Sequence, residues 1–176
     1  HTAIRRQRQM CIRDRCDSLP QGQGHKTILS QIVADVFGIK INDVFVNTTH
    51  DTHKDAWSIA AGNYSSRFAG AVAGSAFNAA NNLKKKLQKI AASQLNCKSE
   101  NVLFDKEKVY DKKNSDNYLN FKRLAGIPHW SPRNLPEKLN PSLKETVFWG
   151  NEKLRPPNEK DEINGCLLYT SDAADE

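Results

Sequence analysis

Two short runs carry residue types suited to holding an anion or a heterocycle. The first is Gln21-Gly22-Gln23-Gly24-His25. Its glycines let a ligand approach the backbone with no Cβ in the way. The run leads straight into a helix, whose first N–H groups lack partners and whose dipole favours negative charge. A glutamine amide offers a heterocycle both a donor and an acceptor. The pattern is not a P-loop, since no Gly-Lys-Ser/Thr follows, and it is not the G-x-G-x-x-G fingerprint. The plain alternative is a turn before a helix. The second run is Gly62-Asn63-Tyr64-Ser65-Ser66-Arg67, again a turn into a helix start. Ser65 or Ser66 suits the N-cap, and capping is the structural alternative there. Arg67 fits that role less well, because a cation at the positive end of a helix is unfavourable. An anion bound at that point would offset the penalty and match the guanidinium fork.

Other chemistry-bearing residues offer less. His50-Asp51-Thr52-His53 has two histidines three apart without further ligands, so no metal site is assigned. His25 reads as a helix-start residue before a general base, and Trp57, Phe68 and Trp149 read as packing. Lys84-Lys85-Lys86 is a solvated helix face, or else the footprint of an anionic partner such as RNA. The second option defines a non-catalytic binding module as the alternative function.

Both ends of the chain read as translated DNA of non-biological origin. Arg5 to Arg15 (RRQRQMCIRDR) back-translates to a stretch whose reverse complement, shifted by one base, encodes Cys166 to Asp175 (CLLYTSDAAD). The pair resembles the inverted transposon adapters used to prepare sequencing libraries. Residues 1–15 and 165–176 are therefore set aside, and 16–164 is read as a piece of a longer protein. Without the tails the formal net charge falls only from +6 to +5, too weak to argue nucleic acid unaided. The hydrophobic stretches are too short to cross a membrane as a helix. Cys16 and Cys97, the cysteines outside the tails, have no metal-ligand spacing and read as free thiols of a reducing compartment.

These residues need elements to position them. Ile28, Ile32 and Val36, with Leu29, Val33 and Phe37, form one wide apolar stripe from His25 onward, and Gly38 stops it. Val44 to Val46 reads as a strand, and His50 to Gly62 as irregular. Phe68, Val72, Ala76, Ala79, Leu83, Leu87 and Ile90 alternate in threes and fours, predicting the longest helix. Gly70 and Gly74 cost that helix propensity, and they point to close packing against its first half. A hairpin is expected at Val102 to Phe104 and Val109 to Tyr110, turning at Asp105 to Lys108. A short helix near Tyr118 to Leu124, a proline-punctuated connection from Pro128 to Pro141 and a last strand at Thr146 to Trp149 complete the reading. The fold class is α+β, helices packed on short mixed strands.

The run from Leu19 to Ala80 resembles the molybdenum hydroxylases, the family of xanthine dehydrogenase, aldehyde oxidase and aerobic carbon monoxide dehydrogenase. Gly22-Gln23-Gly24-His25 and its helix, Asp51-Thr52, Gly62 to Arg67 and the Ala/Gly-rich helix carry the likeness, in that order. Lys144 to Trp149, and on through Pro156-Pro157 to Asn164, is similar as well. The resemblance implies a partial molybdopterin-binding domain from the large subunit. It implies that Gly22, Gln23 and Gly24 contact the pterin cofactor, with Gln21 less firmly matched, and that Ser65, Ser66 and Arg67 line the path of its dinucleotide, taken as cytosine-bearing. It further implies iron–sulfur and FAD partners, a small-molecule substrate, a cytoplasmic location, and neither nucleic acid nor membrane. The family reaction hydroxylates a carbon centre with oxygen from water. Its catalytic glutamate lies downstream of this stretch, so no catalytic residue is assigned here and the chain alone is expected to be inactive.

Overall fold

The computed structural model describes residues 12–16, 18–48, 68–137, 139–147 and 159–160. Strand β1 (Ile12–Arg15) leads through the Gly-Gln loop into helix α1 (His25–Phe37), then into β2 (Val44–Asn47). The two strands pair in parallel, Ile12 opposite Val44 through Arg15 opposite Asn47. A helix is the usual crossover for a parallel pair, and α1 supplies it. A π-helical turn (Phe68–Val72) runs into α2 (Ala73–Leu95). Strands β3 (Val102–Asp105), β4 (Lys108–Asp111) and β5 (Asn114–Asn120) then form an antiparallel meander, followed by α3 (Phe121–Trp130).

The apolar stripe of α1 is where the periodicity puts it, narrowed to one side. Leu29, Val33, Val36 and Phe37 are buried, whereas Ile28 is 38% exposed. Leu87, Ile90 and Leu95 of α2, Val102 of β3, Val109 of β4, and Phe121 and Leu124 of α3 share the same core. Each large side chain fully withdrawn from water contributes about 1.5–3 kcal/mol. Phe37, Phe104 and Phe121 meet edge to face or tilted, with ring centroids 5.5–6.3 Å apart, a favoured aromatic geometry.

Polar contacts tie α2 to its neighbours. Lys84 Nζ donates to the Val36 carbonyl at 2.6 Å, placing a cation at the negative end of α1, and it lies 5.3 Å from the Phe104 ring centroid. Burial holds the Lys84 ammonium below its ordinary pKa. Gln88 reaches the Val102 carbonyl at 3.3 Å, and Asn117 of β5 caps the end of α2 at the Leu95 carbonyl, 2.9 Å away. Gly38 closes α1 in the left-handed region at φ 62, its N–H directed to the Ala34 and Asp35 carbonyls.

Four sequence expectations need correction. β5 falls where a connection and the start of a helix were expected; Asn-Ser-Asp-Asn-Tyr-Leu-Asn is a poor strand former and becomes one by pairing with β4. The following helix begins at Phe121, where Asn120 accepts from the Lys122 N–H at 2.9 Å as its cap. It also continues through Pro128 to Trp130, since a proline near a helix end forfeits one ladder bond without ending the helix. Thr146 and Val147 carry no regular element, and Phe148 and Trp149 lie outside the described residues.

β1 lies in the segment that the sequence reading set aside. Its alternation turns Ile12 and Asp14 inward and Arg13 and Arg15 outward. Asp14 Oδ2 is buried with no hydrogen-bond partner among the described residues. Burial pushes its carboxyl above the ordinary range, and a backbone hydrogen bond at Arg15 works the other way. An inward carboxylate on a strand facing a core is a local misfit.

Candidate functional site

A parallel strand pair sends both of its outgoing connections from the same edge. The loop after β1 leads to the start of α1, and the stretch after β2 leads to Phe68 at the head of the long helix. The start of α1 stands beyond the carboxyl end of β1, and the head of the long helix meets it through the ring of Phe68.

The first beginning is open to a ligand in three respects. The first bond of the α1 ladder runs from Ile28 N–H to the Gly24 carbonyl at 3.1 Å, so the amides of His25, Lys26 and Thr27 precede it. No side chain caps them, and no acidic residue stands in the first turn. Gly22 and Gly24 have φ +100 and +73, and a Cβ at either would meet nothing within 4 Å. Gln21, Gly22, Gln23 and Gly24 are all exposed. Gln21 N–H donates to Gln23 Oε1 at 2.6 Å, which leaves the Gln23 NH₂ group directed elsewhere.

His25 has a larger part than its helix-start position suggests. The ring is 0% exposed, its Nδ1 lies 3.4 Å from Ser18 Oγ, and its Nε2 has no partner among the described residues. A buried ring nitrogen left unmatched costs about 1–3 kcal/mol. The Phe68 ring stacks on it, centroids 4.0 Å apart and 10° from parallel. That stack joins the start of α1 to the residue immediately after Arg67. Sequence reasoning missed both Ser18 and the His25–Phe68 contact, since neither spacing marks them.

Ser65, Ser66 and Arg67 lie outside the described residues, as do Asp51-Thr52, Trp57 and the His50–His53 run. Among the described residues no group of three or more His, Cys, Asp or Glu is placed to hold a metal, and no helix is long and apolar enough to cross a membrane. Cys16 and Cys97 are free thiols; burial, with the Asp111 charge adding, pushes the Cys97 thiol up. The basic run of α2 is largely engaged. Lys84 caps α1 and Lys86 pairs with Glu145, while Lys85 is exposed.

Comparison with known proteins identifies the family. The family model described as molybdopterin cofactor-binding domain matches residues 15–174, taking in most of the C-terminal tail set aside above. The chain is 28% identical over 133 residues to the nicotine 6-hydroxylase large subunit of Paenarthrobacter nicotinovorans, covering 76% of this chain and 16% of that one. It is 29% identical over 138 residues to the carbon monoxide dehydrogenase large chain of Afipia carboxidovorans, covering 78% and 16%. Among solved structures, quinoline 2-oxidoreductase from Pseudomonas putida 86 superposes with TM-score 0.71 at 25% identity, covering 78% of this chain and 17% of that one. Reconstituted CO dehydrogenase from Oligotropha carboxidovorans gives 0.66 at 28%, covering 78% and 16%. The chain thus spans about a sixth of the length of the relatives it matches.

Proposed function

The chain belongs to the molybdopterin cofactor-binding domain family of molybdenum hydroxylase-type enzymes, and on that premise we propose that it forms one wall of the cofactor site in a larger oxidoreductase. The loop Gln21 to Gly24 and the free amides of α1 hold one anionic part of a pterin dinucleotide. Ser65, Ser66 and Arg67 hold another. The observation that carries the reading is the His25–Phe68 stack, which supports a common hollow between the two helix starts. The residues fit such a group: the space at Gly22 and Gly24 is open, and a buried imidazole nitrogen is unmatched.

When bound, the molybdenum cofactor supplies two-electron oxidation of a substrate carbon with oxygen drawn from water. The residues of this chain bind and orient it. Glycines at positive φ admit it close to the main chain, Gln23 offers amide donors to its heterocycle, and Arg67 neutralises phosphate charge. No residue here acts on substrate. The parent is a cytoplasmic hydroxylase or dehydrogenase of aldehydes, N-heterocycles or similar small molecules, working with iron–sulfur and FAD partners and a cytosine dinucleotide form of the cofactor. Residues 1–15 and 165–176 are translated adapter, a reading the unpartnered inward carboxylate of Asp14 supports.

The test is cofactor content. The full-length parent subunit, purified after expression in a molybdenum-replete host, is expected to contain molybdenum, pterin and, on hydrolysis, CMP. Arg67→Ala should lower pterin occupancy about tenfold, the worth of a charge-assisted bond. The 176-residue chain itself should show no substrate-dependent dye reduction. A pterin-free parent overturns the proposal.

A further inference from the structure

The α1 start presents more than free amides. His25, in the first turn, is fully buried, yet its Nε2 has no partner among the described residues. Core histidines ordinarily satisfy both ring nitrogens, and an unmet one marks a place where a partner is expected. Nδ1 faces Ser18 Oγ at 3.4 Å. A hydroxyl can donate to a ring nitrogen or accept from it; when Ser18 Oγ–H donates to Nδ1, the ring proton stands on Nε2. The Phe68 stack then fixes the plane of the ring.

We propose that Ser18 and His25 form a positioning pair that presents His25 Nε2–H as a donor to phosphate oxygens of the ligand at the α1 start. This rests on the cofactor-site reading above. Three amides of one helical turn and an imidazole N–H from the same turn would then converge on one anion, a denser donor set than a bare helix start gives. The ring is buried, so the ligand reaches it as the exposed loop gives way. The bond from Gln21 N–H to Gln23 Oε1 is the contact exchanged for the ligand's acceptors. Phe68 has a second role in this arrangement. By stacking on His25 it ties the head of the long helix to the ring, so that an anion gripped by one start orders the other.

Long-range ¹H–¹⁵N correlation of the imidazole in the intact chain tests this, with inorganic pyrophosphate as probe. The expected result is an Nε2–H tautomer before addition, and a saturable shift of that resonance during titration. His25→Phe keeps the ring volume and the stack but removes the nitrogen, and should weaken pyrophosphate binding about tenfold with a near-native melt. Ser18→Ala should mix the tautomers and weaken binding less. An Nδ1–H tautomer in the wild type, or an Nε2 resonance indifferent to pyrophosphate, overturns the proposal even where the variant does not fold. So does unchanged affinity in a folded His25→Phe. Failure here with pterin still present in the parent defeats only the His25 role; a pterin-free parent with the shift intact defeats only the cofactor reading.

Discussion

Helix α1 is bounded by two glycines in the same left-handed conformation with opposite surroundings. Gly24 at its start has φ 73, and a Cβ there would meet nothing within 4 Å; Gly38 at its end has φ 62, and a Cβ would fall 2.9 Å from Asp105 Cα. The end is over-determined: its carbonyls are met by the Gly38 N–H and by Lys84, and the Gly38 carbonyl accepts from Glu107 N–H at 2.9 Å. The start is uncapped, exposed in its loop and short of one buried partner. One helix therefore separates the two tasks. Its last turn is anchored in the core, and its first turn keeps uncapped amides and, among the described residues, an unmatched ring nitrogen.

Substitution at Gly38 should produce the largest effect. Gly38→Ala combines left-handed strain with a methyl driven into main-chain atoms that cannot move cheaply, a loss of about 2–4 kcal/mol. A urea melt measures it, and pyrophosphate affinity of the folded fraction should hold. Next is Asp14→Val, which replaces the other unmatched buried polar atom among the described residues and should stabilise the chain by about 1–3 kcal/mol without touching anion binding. The pH dependence follows from the same group. A carboxyl with a raised folded pKa binds its proton more tightly folded than unfolded. Its penalty is complete above the raised value, shrinks as pH falls through it, and is gone below the ordinary carboxylate range. The wild type should therefore gain on Asp14→Val as pH is lowered through that window, seen as converging melts. The smallest effect belongs to Gly24→Ala, where only backbone strain acts, about 1 kcal/mol. Its signature should be weaker pyrophosphate binding, because the methyl projects into open space at the loop. Equal stability losses at Gly24 and Gly38 would erase the contrast.

The anchored half was the more legible in the sequence. Leu29, Val33 and Phe37 repeat at four residues and end on a glycine, so periodicity and stop signal together define α1. The hairpin of β3 and β4 announces itself by apolar runs either side of a turn. β5 was invisible because its polar residues have no strand preference of their own; the pairing with β4 makes it a strand. Pro128 misled for the converse reason, since a local breaker is overruled when the helix has its cap at Asn120 and core contacts at Phe121 and Leu124. Near the candidate site, the turn from Gln21 to Gly24 and the helix that follows it were readable from residue type. The meeting of His25 with Ser18 and Phe68 was not, because a tertiary contact between distant residues leaves no mark on local spacing.

The hairpin tip carries a further consequence. Lys106 and Glu107 both have positive φ, 47 and 64, in a two-residue turn that glycine or asparagine would enter more easily. Glu107 nonetheless joins three parts of the molecule through its own peptide groups, donating to the Gly38 carbonyl at 2.9 Å and accepting from Phe121 N–H at 2.8 Å. A rivet built of peptide groups reads shape and ignores identity. Side chains at the tip can therefore change while the main-chain joint, and the spacing it sets between α1, the hairpin and α3, stays as it is.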